Sequence, residues 1–163
     1  MPAASRTSAP ASAVIAVIAA LDFERKLLDD HAPADERSRV RVYQCGPGDA
    51  HAYDAARSAL ASGAAALVSW GVAGGLAPRS RAGDVVLPRR VLAATGMSFD
   101  ADPVWRMELY RSLQAIFAVA DGDLCSSPEV LGSSAAKSAL AESTGAVAVD
   151  MESAAVARAA KAA

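Results

Sequence analysis

The chain has 163 residues, the size of one domain. Its 16 Lys and Arg against 18 Asp and Glu leave a net charge of −2, which argues against a dedicated nucleic-acid binder. Hydrophobic residues reach 53%, but 41 residues are Ala and only 5% are aromatic, so the composition predicts a lean core packed through small side chains and no base-stacking platform.

Met1–Ser12 is rich in Ala, Ser and Pro, carries the one charge of Arg6, and reads as a disordered tail. Residues 13–163 then read as a single domain. The apolar run Ala13–Ala20 has the character of a signal-peptide core, but it is short and weakly flanked by positive charge. A buried first strand running into a helix through Phe23, Leu27 and Leu28 is the better account. His31–Arg39 is a polar loop, and Val40–Cys45 a second strand. Gly46–Asp49 is a turn into a helix over about His51–Ser62, with Asp49 in place for an N-cap. Ala64–Trp70 is a short apolar run of central-strand length, ending in the glycine-rich stretch Gly71–Pro78. Short strands follow at Asp84–Leu87 and Val91–Ala94, then a helix over Pro103–Ile116 with Pro in its first turn. Phe117–Ala120 reads as a strand, 121–128 as a loop, Ser133–Glu142 as a helix, Ala146–Val149 as a strand and Met151–Ala162 as a helix. Strands alternating with helices imply an α/β fold with a mainly parallel sheet.

Two cysteines, Cys45 and Cys125, are too few for a disulfide framework, which makes a cytoplasmic setting the expectation. No apolar run approaches the roughly 18 residues that a membrane-spanning helix needs, so stable membrane insertion is not expected.

In such folds, ligands bind beyond the carboxyl ends of strands. Three of these ends carry polar or glycine-rich residues. Asp22, Glu24 and Arg25 follow the first strand; a solvated first helical turn explains them as well as a site does. Gly71, Gly74 and Gly75 follow Trp70, where a backbone can approach a ligand closely or merely turn. Their spacing is not that of a dinucleotide fingerprint. Asp150, Met151 and Glu152 stand at the last strand-to-helix junction. A carboxylate there can take two hydrogen bonds from vicinal ribose hydroxyls, with Met against the sugar, or can simply favour the helix N-terminus.

Taken in order, VIAALDFERKLL (Val17–Leu28), SWGVAGGLAP (Ser69–Pro78), AGDVVLP (Ala82–Pro88) and AVDMESAAVARAA (Ala148–Ala160) resemble the nucleoside phosphorylase/nucleosidase superfamily. Phe23-Glu24 and Asp150-Met151-Glu152-Ser153 look most like its hopanoid-associated branch. The resemblance implies a three-layer α/β/α sandwich acting on a small-molecule nucleoside, usually as a homo-oligomer, without metal or organic cofactor. It implies that Glu152 and Met151 hold the ribose beside Asp150. Gly74 and Gly75 would line ribose and base, with Cys125 near the base. Glu24 would orient a catalytic water, whereas phosphorolysis would place inorganic phosphate, as co-substrate, near Arg25 and Gly71. The hopanoid likeness would make the reaction adenosylhopane to ribosylhopane plus adenine. The family's pattern runs on to a further strand and helix, and that strand carries the Asp that protonates the purine. This sequence lacks that last strand and helix. General acid help is worth typically about 10²–10⁴-fold. The alternative expectation is therefore an inactive remnant that binds nucleoside or only folds.

Overall fold

A computed structural model describes residues 13–31 and 39–163. The tail 1–12, and residues 32–38 of the expected polar loop, lie outside the described residues.

In chain order the elements are β1 (Val14–Ala19), α1 (Asp22–His31), β2 (Val40–Gln44), α2 (Asp49–Ala61), β3 (Ala64–Trp70) and β4 (Gly74–Gly75). Next come β5 (Val85–Val86), β6 (Arg90–Ala93), β7 (Ser98–Asp100), α3 (Pro103–Leu113) and β8 (Val119–Ala120). The chain closes with β9 (Leu124–Ser126), α4 (Ser134–Thr144), β10 (Ala148–Asp150) and α5 (Ser153–Lys161).

One sheet has the order β2-β1-β3, with both pairs parallel. A second has the order β4-β10-β9-β6-β7, parallel through β10-β9-β6 and closed by antiparallel β4 and β7 at its edges. A small parallel pair, β5-β8, stands apart. The layers follow from strand alternation. Cys125 and Val149 face one way and pack with Leu140 and Ala141 of α4. Leu124 and Ala148 face the other way and pack with Ala154 of α5. Helices thus cover both faces, the three-layer α/β/α arrangement.

The core is built from small side chains, as composition predicts. Ala52, Ala56 and Ala59 of α2 meet Ala155, Val156 and Ala159 of α5 beside Ala16 and Ile18 of β1. Alanine at successive turns lets two helix backbones approach closely. Each buried methyl contributes on the order of 1 kcal/mol, so stability is spread thinly over many contacts.

Four expectations need correction. The stretch read as the loop 121–128 contains β9, which pairs on both sides and is fully buried. Its three residues are flanked by Asp and Gly before and Ser-Ser-Pro after, and those turn-type neighbours mask it. Asp49 is not a cap: Gly48, at φ 101°, precedes the first turn, and the Asp49 carboxylate pairs instead with Arg158 at 2.8 Å. β7 was not anticipated; it hairpins back on β6. The glycine turn contains a two-residue strand, because Gly74 and Gly75 pair with β10. The helix α3 begins at Pro103 under an Asp102 cap that accepts from the Val104 and Trp105 amides, each at 2.9 Å. None of its residues is buried.

Candidate active site

The carboxyl ends of β1, β3 and β10, with the turn after β2, converge on two glutamates. Glu24, in the first turn of α1, is buried at 3% exposure although it is charged. Such burial is tolerated only with full hydrogen bonding. Its Oε2 accepts from the Ala20 and Leu21 amides at 3.0 and 2.9 Å, and its Oε1 from the Val72 amide at 2.9 Å. The carboxylate therefore clamps the loop after β1 to the loop after β3. Gly71 makes room for this: a Cβ there would lie 2.6 Å from Glu24 Oε1.

Glu152 stands at the N-cap position of α5, but its carboxylate bonds outside the helix. Its Oε1 accepts from the Gly48 amide at 2.7 Å and its Oε2 from the Met151 amide at 3.1 Å. Burial pushes its carboxyl up, with Asp150 and Glu24 adding repulsion, while the two amides pull it down. Asp150 Oδ2 accepts from the Ser153 amide at 3.0 Å and from the Ser153 hydroxyl. Its Oδ1 is buried without a hydrogen-bond partner. Burial pushes this carboxyl above the ordinary carboxylate range as well.

The other candidates divide. Gly74 pairs with β10, and a Cβ on it would lie 3.2 Å from Val149 Cγ1 and 3.7 Å from Lys137 Nζ. Gly75 abuts Ser80. Met151 is half-buried. Arg25 turns outward: its guanidinium holds Gln44 at 3.0 Å, Asp22 at 3.1 Å and Asp29. Cys125 is buried in β9, where burial and Asp150 raise its thiol. It lines a cleft of about 410 Å³ with Leu92, Ser126, Pro128 and Thr144, and none of Glu24, Gly74, Met151 or Glu152 lines that cleft. A larger hollow of about 790 Å³, lined by Arg79, Ser80, Arg81 and Asp84, contains none of the candidates. Among the described residues, no group of His, Cys, Asp and Glu is arranged to hold a metal ion. No helix is long and apolar enough to cross a membrane, again among those residues.

Sequence reasoning missed Gly48, Lys137, Ser69 and Cys45. The Cys45 thiol donates to the Gly46 carbonyl at 3.1 Å and is pushed up by burial, with Glu152 and Glu24 nearby. The signal for Gly48 was present: the Gly46-Pro47-Gly48 turn also follows a strand, and its backbone amide, not a side chain, faces the site.

Residues 14–163 match the sequence profile of the Phosphorylase superfamily. The chain belongs to that superfamily. Solved structures of other proteins show the same fold. A Helicobacter pylori 5′-methylthioadenosine/S-adenosylhomocysteine nucleosidase mutant, holding 5′-methylthioadenosine, superposes with TM-score 0.82 at 18% identity, over 92% of this chain and 80% of that one. The Neisseria meningitidis nucleosidase in complex with methylthio-immucillin-A gives 0.81 at 23% identity, over 91% and 80%. A futalosine hydrolase mutant of Helicobacter pylori gives 0.77 at 17%, over 92% and 84%. No curated protein matches this superfamily member.

Proposed function

We propose that the chain hydrolyses the N-glycosidic bond of an adenosine-type nucleoside, with water rather than phosphate as nucleophile. The observation that carries this is the Glu24 carboxylate seated over Gly71. It already occupies the Ala20, Leu21 and Val72 amides, the donors that an inorganic anion would need there. Arg25 is committed to Gln44, Asp22 and Asp29. A carboxylate offers about four acceptor sites, and three are filled here, which leaves one to take a proton from water. The water oxygen bonds to C1′ as the C1′–N9 bond breaks, the departing adenine taking its proton from solvent. Glu152 would hold the ribose hydroxyls through charge-assisted bonds, with Met151 against the sugar.

The 5′ substituent is read from the rim. Phe23, which precedes Glu24, Val72, whose amide donates to it, and Trp70, which precedes the Gly71 beneath it, are 48%, 65% and 46% exposed. An apolar rim suits an apolar 5′ group such as the triterpenoid of adenosylhopane. The same three amide bonds also favour a second reading, in which Glu24 is only a clamp and the chain binds nucleosides without turnover.

Chromatographic detection of adenine, with and without phosphate, separates these. Hydrolysis predicts adenine release independent of phosphate and abolished in Glu24→Gln. Adenosine should bind more than about tenfold tighter than 2′,3′-dideoxyadenosine, and Glu152→Gln should erase that preference. Binding with this preference but no adenine selects the second reading. Equal affinity for the two ligands would remove the ribose role of Glu152 from both.

A further inference from the structure

Asp150 is a buried acid that neither reading uses. Its Oδ2 is taken by the amide and the hydroxyl of Ser153. Ser153 Oγ in turn lies 3.0 Å from Ser69 Oγ on β3. A hydroxyl has one hydrogen to give. If Ser153 donates to Asp150, Ser69 donates to Ser153, and the chain of donors ends on the carboxyl group.

The two ends of this chain matter. Ser153 follows Glu152 directly, and Ser69 stands two residues before Gly71, the glycine beneath Glu24. Yet β3 and β10 belong to different sheets, and no backbone pairing joins them among the described residues. The β4–β10 ladder holds Gly74 and Gly75 against Val149 and Ala148, but among the described residues no ladder joins the β3 end beneath Glu24 to the turn carrying Glu152. Asp150 also leaves Oδ1 buried and unpartnered, a costly arrangement for a residue that a neutral side chain could replace.

We propose that Asp150 is a positioning residue that, through Ser153 and Ser69, holds the Glu152 turn in register with the end of β3 at Trp70–Val72. It does not touch the nucleoside. Only the purpose of this alignment, presenting ribose to Glu152 and water to Glu24, rests on the nucleoside reading.

The test is amide hydrogen exchange on the ligand-free chain, followed by adenosine affinity. Asp150→Ala and Ser153→Ala should each speed exchange at Trp70–Val72 by about tenfold, the effect of losing one charge-assisted bond. Coupling is reciprocal, so Ser69→Ala should speed exchange in the first turn of α5. Asp150→Asn keeps the shape and a bond to Ser153, and should recover most of the protection and part of the affinity that Asp150→Ala loses. Unchanged exchange at Trp70–Val72 in Ser153→Ala and Asp150→Ala overturns the proposal. So does an Asp150→Asn chain as loose as Asp150→Ala. Should Asp150→Ala fail to fold, the two serine variants decide alone. The expected exchange pattern in a chain that binds no nucleoside keeps the relay and defeats the nucleoside reading.

Discussion

At the scale of single residues, three carboxylates crowd one end of the molecule, and each is stabilised differently. Glu24 relies on three backbone amides and Glu152 on two. Asp150 has one amide, one hydroxyl and an oxygen with nothing. Burial therefore raises its carboxyl, against the opposing pull of the Ser153 hydroxyl and amide. A carboxyl raised in the folded state holds its proton after the unfolded chain has lost its own. Its stabilising contribution is present below the ordinary Asp value, about 3.9, and is lost as pH rises through the folded value. The other acids that bear on this site are Glu152 on the adjoining turn and, through it, Glu24 on α1, while the Cys125 thiol stands on β9. Asp150→Asn removes the titration at this position. We expect it to melt higher than the unaltered chain at pH 8 and to converge with it near pH 4. Equal melting temperatures at pH 8 would mean that the Asp150 charge costs nothing. Sequence shows the acids because Asp and Glu at strand ends are visible in one letter. Their partners are mostly backbone amides, Gly48 and Val72 among them, and no letter records where an amide points.

At the scale of elements, the α2–α5 contact shows what an alanine-rich sequence can and cannot do. Ala52, Ala56 and Ala59 are wholly buried, and so are Ala155 and Ala159 across from them. Packing this close tolerates no added volume, because crowding a filled core costs about 1–3 kcal/mol. Ala56→Leu should lower the unfolding free energy by that amount, read as a lower urea midpoint with an unchanged slope. An unaffected midpoint would show that the helices stand further apart than described. Helices of this kind were legible from sequence, since a helix of eight or more residues leaves a period and a cap. The N-cap Ser133, accepting from the Ala136 amide at 3.1 Å, starts the helix within a residue of the expected beginning, while its end, Thr144, lies two residues past the expected Glu142. Strands of two or three residues leave neither. β9 carries Leu124, Cys125 and Ser126, and only its neighbours on both sides make it central. β4 consists of two glycines, which local propensity assigns to a turn. Tertiary pairing decided both.

At the scale of the whole molecule, the sheet is divided. β3 pairs with β1 on one side and with no strand on the other among the described residues. Its sequence, AAALVSW, has the apolar continuity of a strand covered on both flanks, yet Trp70 is 46% exposed. An uncovered apolar edge presents unpaired amides and carbonyls to any other strand. Charge gives little protection: the net value is −2 and the isoelectric point about 5.6. Association through this edge should therefore rise with concentration and strengthen as pH approaches the isoelectric point. Ala65 is the place to test it. It is exposed, and the register between β1 and β3 skips it, so a side chain there disturbs no pair. Lysine on an edge blocks strand addition, because docking a second strand would bury its charge. We expect Ala65→Lys to remain monomeric, by light scattering, at concentrations where the unaltered chain associates. A homo-oligomer built through any other face would be untouched by the substitution. Undiminished association in Ala65→Lys would thus move the self-contact off β3 and leave its open edge without consequence for assembly.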